Sequence, residues 1–172
     1  MWSTPRQDAR ASVQTAAATD TPGSQLGPLP PGSIRAVVIT LPAELASVGL
    51  ARRWAVGVLA AWGLDAEDRG TAALVIGELA ANAALYGHAE MTIRLAQRND
   101  QLRVCVRDSG VPSTARHLDS REFAEHGRGL GIVRALADSA EVAREPGGWR
   151  VGAVLRVATA ENPAPVSGAR AA

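Results

Sequence analysis

Between residues 33 and 160 the apolar positions change period several times, and each change marks an element. "IRAVVIT" (34–40) is short and β-branched and predicts a strand. Leu45, Val48, Arg52, Ala55, Leu59 and Trp62 then recur at helical spacing, with Pro42 placed to open that helix and Gly63 to close it. Asp65 stands where an N-cap belongs, ahead of Glu67 and Asp68, so a second helix is expected to run to about Tyr86, before Gly87. "MTIRLAQ" puts Met91, Ile93 and Leu95 on one face; "QLRVCVRD" alternates too, with Leu102, Val104 and Val106 inward. "RNDQ" between them is a turn, which predicts a hairpin. After a polar, irregular segment reaching His126, Leu130, Val133 and Leu136 return to helical spacing, and "AEVARE" and "WRVGAVLRVA" read as two strands around "PGG". The order β-α-α-β-β-loop-α-β-β predicts an α/β (α+β) fold: a two-layer sandwich with a mostly antiparallel, mixed sheet and helices on one face.

The flanks have no such pattern. Residues 1–32 are Thr, Ala, Pro, Gly and Ser with few large apolar groups, and 161–172 ("ENPAPVSGARAA") read likewise. Neither buries enough to offset its ordering entropy, so both are expected to be disordered arms around one domain at 33–160. The 172 residues carry a formal net charge of +1, which gives no bulk argument for nucleic acid or a polyanionic partner. All 18 basic residues are Arg. A P-loop lysine, a Schiff-base lysine and a general-base lysine are therefore excluded, and any phosphate must be met by backbone amides, Arg and a metal. The single cysteine, Cys105, rules out an internal disulfide and a cysteine metal cluster, and the three histidines lack zinc-ligand spacing. "MWSTPRQDAR" lacks a signal-peptide core, and no stretch approaches the roughly 18 apolar residues of a membrane span. A cytoplasmic protein without membrane contact is expected.

One polar pair interrupts the second helix. In "ALVIGELAANAALYGH" (73–88), Glu78 and Asn82 lie one turn apart, hence on one face. No basic residue occurs between Arg69 and His88, and the stripe they share with Thr71, Val75 and Leu85 is mostly apolar. A carboxylate there must be hydrogen-bonded, metal-linked or open to a cavity. Such a carboxylate can take a proton from a hydroxyl, and an amide oxygen one turn away can ligate Mg²⁺. The plain alternative is a polar pair on a partly solvated face.

Two further motifs carry chemistry. "VRDSGVP" ends a strand at Asp108, which could accept a hydrogen bond from an exocyclic amine such as that of adenine, while Gly110 lets a ligand approach the backbone. Ordinary turn chemistry explains the same residues. "GRGLGI" leads Gly127, Gly129 and Gly131 into a helix, and free amides at a helix N-terminus suit phosphate. It does not follow a strand, so it is not the dinucleotide fingerprint, and alone it is also a plain glycine-rich loop. In this order the three motifs describe one nucleotide pocket, with a polar loop of about fifteen residues as its lid.

Ala73–His88, Arg107–Pro112 and Gly127–Val133 resemble the N, G1 and G2 boxes of the GHKL (Bergerat-fold) ATPase/kinase superfamily, which includes gyrase, Hsp90, histidine kinases and MutL. "LPAELASVGLARRW" followed by "AWGLDAEDRGTAALVIGELAANA" resembles the small bacterial anti-sigma-factor serine kinases, and the likeness covers almost all of residues 34–157. No histidine-bearing helix pair precedes the domain and no transducer domain follows it, so neither a complete sensor histidine kinase nor gyrase- or Hsp90-like work is expected.

The resemblance implies an ATP-binding, Mg²⁺-dependent serine/threonine protein kinase. Glu78 would be the general base, and Asn82 would coordinate the Mg²⁺ that bridges the ATP phosphates. Asp108 would hold the adenine amino group with Gly110 lining the base. Gly127, Gly129 and Leu130 would wrap the phosphates beside Gly131, Arg128 would add charge, and residues 113–126 would be the lid. Many relatives carry a Thr in the last strand that helps bind adenine; here that place falls to Ala153. The implied partners are an anti-sigma-factor antagonist as phosphorylation substrate and a sigma factor as binding target, with no direct nucleic acid, and the resemblance admits a homodimer. The alternative is a non-catalytic ATP-sensing module of the same fold. Tyr86 and His88, where relatives often have a His, are expected to pack or cap. Arg52, Arg53 and Trp54 fit either a partner surface or a packed amphipathic helix.

Overall fold

The computed structural model describes residues 12–15, 34–87, 89–109 and 128–158. Strand β2 (Arg35–Pro42) is followed by helices α1 (Leu45–Ala61) and α2 (Ala66–Tyr86), then strands β3 (Glu90–Arg98) and β4 (Gln101–Ser109). Helix α3 (Arg128–Leu136) and strands β5 (Ser139–Glu145) and β6 (Gly148–Arg156) complete the domain. A short strand β1 (Ser12–Thr15) precedes them. The sheet order is β1-β2-β3-β4-β6-β5, and every ladder between these strands is antiparallel. The architecture is the expected α+β two-layer sandwich.

Alternation explains the layering. Ile39, Ile93, Val106 and Val151 stand side by side across four strands, and all four are buried on the helix-facing side. The other side carries Thr92, Arg94, Arg103, Cys105 and Arg150. Helix α2 crosses the middle of the sheet and packs on both α1 and α3. Its ends are set locally: the Asp68 N–H donates to Asp65 Oδ1 at 2.8 Å, and the Gly87 N–H donates to the Ala83 carbonyl at 2.8 Å. The Ala158 N–H donates to Asp68 Oδ2 at 2.6 Å, which ties the start of α2 to the end of β6. Among the described residues, no helix is long and apolar enough to cross a membrane.

Four expectations are corrected. Ser12–Thr15 lies within the arm expected to lack structure, yet it pairs with Val37–Thr40 and extends the sheet edge; the open edge of β2 supplies the backbone partners that a short polar strand cannot find alone. Pro42 ends β2 opposite Glu90 rather than opening α1, whose N-cap is Glu44. The buried stripe of α1 is Ser47, Ala51, Ala55 and Leu59, while Leu45 is 60% exposed. Small residues face α2 because the two helices approach closely. Gly77 of α2 leaves room for the Arg52 side chain, whose Nε lies 2.9 Å from where a Cβ on Gly77 would stand. Leu136 is exposed, since α3 buries only Leu130 and Val133 among its large apolar residues. An Ala51→Leu protein is expected to lose about 1–3 kcal/mol of stability through overpacking, read as a lower urea midpoint with an unchanged slope.

Candidate functional site

Helix α2 carries the polar pair and, at its end, meets the strand-end aspartate. Glu78 and Asn82 are both half-buried on successive turns. Among the described residues, neither side chain takes part in a hydrogen bond or ion pair. The Glu78 carboxylate reaches the first turn of α3: a Cβ built on Gly129 would stand 2.5 Å from Glu78 Oε2 and 3.5 Å from its Cδ. Glycine at 129 is therefore what lets the carboxylate lie there. The first turn of a helix has amides without intrahelical partners and the positive end of the dipole, so this is where negative charge is best tolerated.

Nine residues further along α2, roughly 13 Å at the helical rise, Gly87 abuts Asp108. Asp108 is only 6% exposed. It continues the inward series Leu102, Val104, Val106 and lies opposite Met91 of β3. Its Oδ1 accepts the Trp149 backbone N–H at 3.1 Å. Two glycines close around it. A Cβ on Gly87 would stand 2.7 Å from Asp108 Cβ, and one on Gly148 would stand 2.5 Å from Asp108 Oδ1. Gly148 also has a φ of 154°, near the margin of what a residue with a side chain adopts. A buried carboxylate is thus clamped between the end of α2 and the β5–β6 hairpin.

The structure brings Glu78 and Gly129 together at one end of this row and Gly87 and Asp108 at the other, with Asn82 on the helix between them. Gly110, Gly127, His88 and the expected lid at 113–126 lie outside the described residues. Arg128 opens α3, but its side chain also lies outside them. Leu130 is 2% exposed, so its side chain belongs to the core and only its backbone can serve a ligand. Gly131 is exposed. Ala153 pairs with Val104, four residues from Asp108, which is about 13 Å along the strand. The helix-facing residue of β6 that lies closer is Val151, paired with Val106. Either way the position is apolar and buried, and it supplies no hydroxyl. Tyr86 closes α2 partly exposed, and Trp54 is partly buried against the core. Burial pushes the Cys105 thiol above its usual range, partly offset by Arg150 beside it, so the thiol stays protonated near neutrality.

Gly87, Gly148 and Trp149 were not legible as site residues. Gly87 reads as a helix stop and "PGGW" as a hairpin turn, and only the ladder shows that both converge on Asp108. A model of the family described as "Histidine kinase-like ATPase domain" matches residues 41–156. That span includes α1 to β6 and every site residue named above. No curated protein matches the chain.

Proposed function

Because the chain belongs to the histidine kinase-like ATPase domain family, an ATP-binding fold, we propose that it is a Mg²⁺–ATP-dependent serine/threonine protein kinase of the anti-sigma-factor type. Its substrate is a small anti-sigma-factor antagonist, and its binding target is a sigma factor. The observation that carries the catalytic part is Glu78. Among the described residues this half-buried carboxylate makes no hydrogen bond or ion pair, and it lies against the start of α3, which supports a role in the reaction.

The residues fit the ligands this reading requires. Asp108 is a buried carboxylate next to the apolar residues Met91 and Val106, and an anionic acceptor there suits the exocyclic amine of adenine. Glu78 and Asn82 offer oxygen donors one turn apart, and among the described residues no three of His, Cys, Asp and Glu gather into a self-sufficient metal site. That donor set suits Mg²⁺, which keeps few protein ligands and takes the rest from phosphate and water. Asn82 would hold the ion; its contribution when bound is to neutralise phosphate charge. Gly129 and Leu130 lie in the first turn of α3, where backbone amides without intrahelical partners would meet the phosphates. Glu78 accepts the proton of the incoming Ser or Thr hydroxyl as its oxygen attacks the terminal phosphorus; the bond to the bridging oxygen breaks, and ADP leaves.

The deciding experiment supplies the chain with Mg²⁺–ATP and co-encoded candidate antagonists, and reads ADP together with phosphoserine or phosphothreonine. Tight ATP binding with no transfer to any of them would support the ATP-sensing alternative. Gly129→Ala tests the close approach to Glu78. The new methyl meets the flexible end of a side chain, so stability should stay within about 0.5 kcal/mol. The displaced carboxylate should lower transfer by roughly tenfold to a hundredfold, with ATP affinity changed far less, as titration calorimetry and a transfer assay would show.

A further inference from the structure

The surroundings of Asp108 on the helix-facing side of the sheet are uneven. Met91, paired with it on β3, is fully buried. Val106 and Val151, next along the ladder, are buried as well. On the β6 side the neighbour is Trp149. The β4–β6 ladder ends at the Arg107–Arg150 pair, and just beyond it the Trp149 N–H donates to Asp108 Oδ1 at 3.1 Å. The alternation of β6, with Val151, Ala153 and Leu155 buried, turns Trp149 to that same side, yet it is only half-buried. A large aromatic ring therefore stands partly open beside a buried carboxylate, at the rim of an apolar floor.

We propose that the Trp149 indole forms one wall of the base subsite and packs against the heterocycle whose amine Asp108 accepts. This rests on the adenine-nucleotide reading of the site. The chemistry is that of a flat, apolar ligand with one N–H donor at its edge. The donor needs an acceptor shielded from water, and its π-face needs a flat partner. Asp108 supplies the first and Trp149 the second. Gly87 and Gly148 let the end of α2 and the hairpin close directly on Asp108, where a side chain at either position would collide with it. Trp54 and Trp62 lie on or just after α1, which contacts β2, at the other side of α2.

The test titrates the full-length chain with ADP, following tryptophan emission and calorimetric affinity in the parent and in Trp149→Phe, Trp149→Ala, Trp54→Phe and Trp62→Phe. ADP should change the parent's emission. Trp149→Phe should abolish that change and keep affinity within about threefold, while the other two Phe variants retain it. Trp149→Ala should weaken ADP about tenfold, the scale of a lost base–aromatic contact. If the parent binds ADP but Trp149→Phe keeps the full emission change, or a folded Trp149→Ala binds as the parent does, the wall is elsewhere and the nucleotide reading stands. If the parent does not bind ADP, the nucleotide reading falls and takes this inference with it. Should Trp149→Ala fail to fold, the emission of Trp149→Phe decides.

Discussion

A Glu78→Gln protein is expected to bind ATP within about threefold of the parent and to lose phosphate transfer by roughly a hundredfold to ten-thousandfold, the usual worth of a positioned general base. Glutamine has the shape of glutamate, so it fits the space that Gly129 leaves, and the half-buried helix face changes little. What it lacks is the ability to take a proton. Among the described residues the Glu78 side chain makes no hydrogen bond or ion pair, so no structural contact is lost and stability should move by no more than about 0.5 kcal/mol. The clean readout is single-turnover transfer to the unphosphorylated protein substrate with saturating ATP, which separates chemistry from binding. Transfer at the parental rate would remove Glu78 from the base role and leave it as a neighbour of the phosphates. An unchanged product yield with slower kinetics would fit the proposal; a loss confined to ATP affinity would not.

The sheet and helices were readable because each element has one buried face and local punctuation. Asp65 and Gly87 bracket α2: Asp65 caps it through its side chain as its residue type suggests, whereas the chain leaves the helix at Gly87 in extended conformation. The alternation in β3 and β4 fixed their register and, followed one step past Val106, already turned Asp108 inward. Other features depend on contacts that no local pattern encodes. Hydropathy highlights Leu45 in α1, but the close contact with α2 selects Ser47 and Ala51, which hydropathy does not single out. Ser12–Thr15 is too short and polar to announce a strand; the edge of β2 makes it one. The clamp on Asp108 joins residues 87, 108 and 148, and their convergence follows from the order β4-β6-β5 rather than from spacing along the chain. The same topology sets Val151, paired with Val106, nearer to Asp108 than Ala153 is. Glu78 and Asn82 were legible because a helix makes residues four apart neighbours; that Glu78 meets Gly129 requires α3 to pack on α2.

Asp108→Asn should separate binding from chemistry in the opposite sense. The amide oxygen can still accept the Trp149 N–H, so the clamp keeps one of its ties. The second position of the group, however, becomes an N–H donor. Facing the adenine amine, it sets donor against donor in a place that is 6% exposed and has little water to intervene. Losing a hydrogen bond to a charged acceptor is worth about 1.5–3 kcal/mol, so ATP affinity should fall roughly tenfold to a hundredfold. A base with a carbonyl in place of that amine meets a donor instead of a carboxylate. The ratio of ATP to GTP affinity should therefore shrink in Asp108→Asn, and calorimetry on the two nucleotides measures it. An Asp108→Asn protein that keeps parental ATP affinity and selectivity would mean that the buried carboxylate serves only the hairpin clamp. If instead Asp108→Asn loses affinity while its transfer rate at saturating ATP survives, and Glu78→Gln does the reverse, the two ends of α2 divide the work. One end fixes the base and the other runs the proton transfer, with the rigid helix between them setting the distance.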